Sequence, residues 1–364
     1  MWMWERGCIK MTIEWLAGNR LRGTTAERPV GSLASPSVGG WVELGRTTSG
    51  STITDLDVTG FGNKRYYMVL GNLLHDGNQD VTMRCGQAST LDTGSTYSSR
   101  RNENGGTDTT DVSRTNMILA DIQSSTQSFG VNYFTNLSTK EKLQLGHMIY
   151  QGTAGAGNAP ARTETANKWA NTSNALDSLS YDSGSWLSGS EMVVLGWDPT
   201  DTHTTNFWEE LASVDLSGGA ATNIDSGTIT AKKYLWIQYY TEQSADSDFL
   251  ITFNADTGSN YARRYDNDGG TETTGTSLAN FTQVSRTANL PQFTNMFIVN
   301  NSANEKLIIA HTVYQMTAGA GTATARWEAV GKWANTSAQI TSMKITSGSG
   351  NLASKTVLKI WGSD

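Results

Sequence analysis

His147–Ser173 reads HMIYQGTAGAGNAPARTETANKWANTS, and His311–Ser337 reads HTVYQMTAGAGTATARWEAVGKWANTS. The two stretches align without a gap and share 18 of 27 residues at an offset of 164. At the same offset DTGSTYSSRRNENGG (Asp92–Gly106) matches DTGSNYARRYDNDGG (Asp256–Gly270). Upstream, WVEL (Trp41–Leu44) matches WEEL (Trp208–Leu211). Each copy ends in an apolar run, EMVVLGW (Glu191–Trp197) and TVLKIW (Thr356–Trp361). Similarity at one long, fixed offset marks a domain built twice. The first copy spans residues 40–198 and the second 206–364, with residues 199–205 as connector. Residues 1–39 belong to neither copy. Their ERPVGSLASPSVGG reads as an extended linker, and the whole segment as an N-terminal arm.

Within each copy the dominant pattern has period two. In EKLIIAHTVYQ, Leu307, Ile309, His311 and Val313 share one face, and Ile308, Ala310, Thr312 and Tyr314 the other. The first copy places Leu143, Leu145, His147 and Ile149 together. KKYLWIQYYTEQ, DFLITFN, NMFIVNN, ITSMKIT and TVLKIWG are further strands, separated by Gly, Asn, Asp and Ser turns. No window carries a helical stripe with caps. The expectation is all-β: two tandem antiparallel sandwiches, jelly-roll-like, after the arm.

Composition agrees. Only 17% of the 364 residues are charged, so the polar share comes from Thr, Ser, Asn and the 37 Gly, which suit short strands and tight turns. A net charge of −7 with no basic block argues against nucleic acid as a partner. No stretch reaches the ~18 apolar residues of a membrane-spanning helix. The start lacks the apolar core of a signal peptide, and Met11 is a candidate natural start. Cys8 and Cys85 have neither CxxC spacing nor a neighbouring His, and read as two free thiols.

Several repeated residues could carry chemistry. His147 and His311 each lie on the apolar face of a strand, where an imidazole is either catalytic or a neutral core group bonded to the next strand. His75 and His203 are not repeated, so no four-histidine metal cluster is implied. The TAGAG loops lack the Lys-Ser/Thr of a phosphate loop and read as tight excursions between strands. The loop DNDGGTE offers Asp266, Asp268 and Glu272 to a metal, and calcium favours such oxygens. Its counterpart NENGGTD has fewer carboxylates, and both also suit a hairpin tip. Arg162 and Glu164, like Arg326 and Glu328, are two apart and so share a face, where they could pair. Lys168, Trp169 and Asn171 recur as Lys332, Trp333 and Asn335. The Trp rings suit a core, and the Asn-Thr-Ser suits a turn. Asn136, Asn171, Asn280, Asn300 and Asn335 head sequons, read as unmodified. Trp186, Trp236 and Trp327 are unmatched, and any exposed one could stack on a sugar. Asp256 and Glu272 could form a carboxylate pair, but nothing sets the spacing that glycoside hydrolysis needs.

MTIEWLAGNRLRGTTAER, WVELGRTT, NYARRYDNDGGTETTGTS, TAGAG and KWANTS together resemble a family of Thr/Asn-rich β-sandwich structural proteins of tailed, mainly marine, bacteriophages. The resemblance covers almost the whole chain. It implies a virion-surface component made in the host cytoplasm: a capsid decoration or cement protein, a head fibre, or a tail-fibre module. It implies no catalytic residues and no cofactor. The partners it implies are the major capsid protein or other virion proteins, with the residues before Arg28 as anchoring arm. An oligomer, a trimer foremost, would cover exposed strand edges. Three functions follow in order: a non-enzymatic virion structural protein, a glycan-binding host-recognition module, and a glycan-cleaving enzyme.

Overall fold

The computed structural model describes residues 14–15, 21–22, 40–122, 127–182, 184–199, 201, 206–284 and 288–364. Among them there is no helix. Glu14–Trp15 and Leu21–Arg22 pair as two short antiparallel strands in the N-terminal arm.

Each copy is a two-sheet antiparallel sandwich. The large sheet of copy one runs Val42–Thr48, Glu191–Trp197, Tyr66–Leu74, Gln127–Thr135, Lys142–Tyr150, Ala161–Trp169, Tyr97–Glu103 and Thr109–Arg114. That of copy two runs in the matching order: Glu209–Asp215, Val357–Ser363, Tyr234–Thr241, Gln292–Val299, Lys306–Tyr314, Ala325–Trp333, Tyr261–Asn267 and Thr273–Leu278. Copy one's small sheet is Met117–Ile122, Gln79–Gln87, Ser178–Asp182 and Leu56–Val58, with Thr90–Leu91 beside Gln79–Gln87. Copy two's is Asn223–Asp225, Met343–Ser347, Phe249–Phe253 and Phe281–Gln283. The chain crosses repeatedly between sheets, as in a jelly roll, and no sheet mixes strands of the two copies.

The inward residues of each sandwich form its core. Val69, Met83, Phe134, Trp169 and Tyr181 are buried in copy one. Ile237, Phe253, Ile308, Trp327 and Trp333 are buried in copy two. Trp169 and Trp333 occupy equivalent positions, and a cavity the size of either ring would cost about 3–5 kcal/mol.

The outer faces of the large sheets are apolar as well, which a freely solvated sandwich face would not be. The two copies use them to pack face to face. Phe129, Val131, Ile149, Val193 and Leu195 of copy one join Trp208, Tyr234, Phe297, Leu307 and Ile309 of copy two in a third buried cluster. The molecule is therefore four sheets deep, with the large sheets inside. The strand Lys306–Tyr314 is buried on both sides over residues 306–310, so its apolar residues there run on rather than alternate.

Candidate functional site

The repeated residues converge on this face-to-face contact. His147 and Glu164 are register partners on adjacent strands of copy one, as are His311 and Glu328 in copy two. All four project outward, and the faces meet so that His147 packs on His311, ring centroids 4.2 Å apart. A residue touching its own equivalent is the mark of a two-fold-like contact. The histidines therefore sit in an interface between domains, not in a single core, and the nearest ring to each is the other imidazole. Burial pushes His147 down to about 4, with Glu328 pulling up and Arg162 pushing down. Burial also drives His311 well below its ordinary value, and His147 adds to the effect. Both rings are neutral at pH 7.

Arg162 is the charged hub beside them. Its side chain is 5% exposed, and it reaches across to Asp266 at 2.8 Å and to Glu272. It also pairs with Glu164 of its own strand, and Glu328 lies 3.7 Å away. Burial alone would lower its pKa, but Glu164, Glu272 and Asp266 together hold it above the ordinary value. Glu328 is raised, by burial first and then by Glu164. Arg264 completes the hub, binding Glu272 at 3.0 Å and the Pro160 carbonyl at 2.7 Å. Glu272 also comes against the α-carbon of Gly105. With a φ of +67° and no room for a β-carbon, that position needs glycine.

The three candidate calcium ligands are thus divided among cations and backbone of the chain itself. Asp266 and Glu272 hold Arg162, while Asp268 Oδ1 accepts the Arg326 backbone N–H at 2.8 Å. In copy one Asn104 Oδ1 accepts the Arg162 N–H at 3.0 Å in the same way. This explains the loop composition. Asn104 and Asp268 have φ of 48° and 57°, conformations that short polar side chains tolerate, and each is followed by a glycine with positive φ. Among the described residues no group of three or more His, Cys, Asp or Glu is arranged to hold a metal.

The first TAGAG loop is gripped by copy two. Lys332 Nζ donates to the carbonyls of Thr153 at 2.7 Å and Gln151 at 3.2 Å, and Glu305 accepts from Gly155 N–H. Ser277 N–H donates to the Ala156 carbonyl at 2.7 Å. Lys332 and Glu305 pair at 3.4 Å and are almost fully buried. At the other edge Glu191 collects Tyr234 at 2.8 Å, Lys233 at 3.0 Å and Thr48 at 2.6 Å.

The rest of KWANTS is structural in both copies. Trp169 and Trp333 are buried, and each donates its indole N–H to an aspartate, Asp92 or Asp256, at 2.7 Å. Asn171 and Asn335 each accept two backbone N–H groups of the following turn. Lys142 and Lys306 cap these turns and lie 5.4 and 5.7 Å from the tryptophan rings. Of the unmatched tryptophans, Trp186 and Trp327 are fully buried, and Trp236 stacks on Phe297. Asp256, given to Trp333, is not free to act with Glu272. Cys85 is a buried free thiol that burial pushes up. Cys8 and His203 lie outside the described residues.

Half of each outer face stays open. Leu143 and Leu145 of copy one are 54% and 56% exposed, while their equivalents Leu307 and Ile309 are buried. Phe293 and Val313 of copy two are exposed, while their equivalents Phe129 and Ile149 are buried. On copy one the open half forms a hollow of about 590 Å³ under Trp41, Tyr66, Tyr133, Leu143, Leu145 and Trp197. Tyr66 and Trp197 stack there at 5.5 Å.

Sequence reading missed Glu305 and Glu191. The first carries a signal, since Glu-Lys-Leu recurs at 141–143 and 305–307. The second has none, because copy two puts Val357 opposite Tyr240 where copy one puts Glu191 opposite Asn72.

No family model matches the chain, and no curated protein matches it. Among solved structures, domains LG4-5 of the mouse laminin alpha1 chain align over 90% of both chains, at 11% identity and a TM-score of 0.20. The LG1-3 region of the laminin alpha2 chain aligns over 85% of this chain and 64% of its own, at 8% identity and a TM-score of 0.23. Scores this low carry no argument about function.

Proposed function

We propose that the chain is a non-enzymatic structural protein of a tailed-phage virion, a capsid decoration, cement or head-fibre component anchored by its N-terminal arm. The observation that carries this reading is the fate of the charged side chains carried on the repeat motifs. Arg162, Asp266, Glu272, Glu328, Lys332 and Glu305 are spent on locking two sandwiches into one block, not arranged around an open cleft. A rigid, low-charge block four sheets deep suits a spacer or cement. Mass spectrometry of purified particles of the encoding phage should find the chain in many copies, with electron cryo-microscopy placing it on the surface. Its absence from particles overturns the reading.

A second reading, a glycan-binding tail-fibre or host-recognition module, is favoured by the half-buried Tyr66–Trp197 stack on the open face. A glycan array carrying host-surface polysaccharides would give specific hits lost in Trp197→Ala. No hits remove it.

A further inference from the structure

The open half-face of copy one is a covered surface in copy two. At equivalent strand positions Leu307 and Ile309 lie under copy one, the domain that precedes them in the chain, whereas Leu143 and Leu145 are more than half exposed. The outward side chains around them are Trp41, Tyr66, Tyr133 and Trp197, with Thr135 the polar exception, so the hollow offers a largely apolar lining to the apolar side of an occupant. What precedes copy one is the N-terminal segment, and the chain leaves the described domain at Trp41, on the rim of the hollow itself.

The sequence of that segment has the matching chemistry. Ile9, Met11, Ile13 and Trp15 alternate with Cys8, Lys10, Thr12 and Glu14, the pattern of a strand with one apolar face. Glu14–Trp15 has strand backbone, paired with Leu21–Arg22. With Trp15 paired to Leu21, the 19 residues between Leu21 and Trp41 can span roughly 60 Å at about 3.3 Å each, still well beyond the roughly 30 Å length of a nine-residue strand.

We propose that the apolar side of residues 9–15 docks on the Leu143–Leu145 face of the same polypeptide. The half-face of Leu143 and Leu145, and of their equivalents Leu307 and Ile309, is then covered in each copy by the piece of chain before it: in copy two by copy one, in copy one by the arm. The proposal does not rest on the virion reading, since it concerns the isolated chain in solution.

Two measurements on the full-length protein test it. In Cys8→Ser with Ile13→Cys and Leu145→Cys, mild oxidation should give an intrachain disulfide found by peptide mapping. No crosslink, or a covalent dimer in its place, overturns the proposal. Leu143→Asp with Leu145→Asp changes exposed side chains and should leave circular dichroism unchanged. It should raise the rate of tryptic cleavage at Arg20 and Arg22 by at least about ten-fold. Equal rates in the two proteins overturn it, as does protection that appears only with rising protein concentration, which would assign the face to a second copy.

Discussion

Lys332 and Lys168 stand at the same position of the same repeated hexapeptide, yet one is wholly buried and the other 44% exposed. Lys332 holds the TAGAG loop of copy one, whereas Lys168 pairs with Glu141 at 3.1 Å in solvent. Arg162 and Arg326 divide in the same way, 5% against 54% exposed. So do Ile309 and Leu145. Duplication supplied two faces with one set of side chains, and packing closed one half of each. The role of a repeated residue is thus set by which half of the contact it falls in, not by its motif. A buried ion pair must recover its desolvation through good geometry, whereas an exposed one contributes about 0–1 kcal/mol.

The sharpest way to break this comparison is to remove one arginine at a time. Arg162→Ala leaves Asp266 and Glu272 buried with only Arg264 between them, and should destabilise the chain by about 3–5 kcal/mol in urea unfolding. Arg326→Ala loses only a half-exposed pair with Glu328, and should cost within about 1 kcal/mol. Equal losses would mean that the interface contributes nothing and that the arginines act within their own sheets. Next in size is the apolar pair. Ile309→Ala should cost about 2–5 kcal/mol, and Leu145→Ala less than that but more than the ~0.5 kcal/mol of a bare surface site, because the docked arm covers it. A loss at Leu145 within ~0.5 kcal/mol would leave that face bare and count against the docked arm.

Much of the architecture was legible because it rests on local pattern. Period two gave the strands, the offset of 164 gave the duplication, and KWANTS gave a buried tryptophan followed by an Asn-capped turn. What was not legible is long-range. Leu307, Ile309, His311 and Val313 read as one face, but nothing in their order says that Leu307 meets another domain and Val313 meets solvent. The carboxylates of Asp266, Asp268 and Glu272 read as a hairpin tip that could also take a metal, until Arg162, more than 100 residues away, is seen held between Asp266 and Glu272. Charge pairs formed across a domain contact leave no spacing to detect.

The smallest expected effect tests the centre of the contact, where the comparison vanishes because His147 and His311 are half-buried alike against each other. For His147 the folded value is about 4 against an ordinary 6.5, so the unfolded chain binds more protons between those limits. The stability it contributes is present in full above pH 6.5, falls as pH drops toward 4, and is level below that. At pH 5.5 the loss from His147 alone is about 1 kcal/mol, and His311 acts in the same direction. Glu328, raised by burial, opposes it, because protonating that carboxyl favours the folded state. The carboxyl groups held low, Asp92, Asp256 and Glu191, release their share only as pH falls below about 4–4.5, under most of this window. His75 is also lowered by burial and titrates alongside. The discriminating measurement is therefore a difference: the thermal midpoint between pH 7 and 5 for wild type against His147→Gln with His311→Gln. The double variant should lose less stability on acidification than wild type, keeping the His75 slope and the opposing slopes of the raised carboxyl groups Glu328, Asp80 and Glu103. Parallel curves would mean that the two imidazoles are solvated in solution and that the faces do not meet at this point.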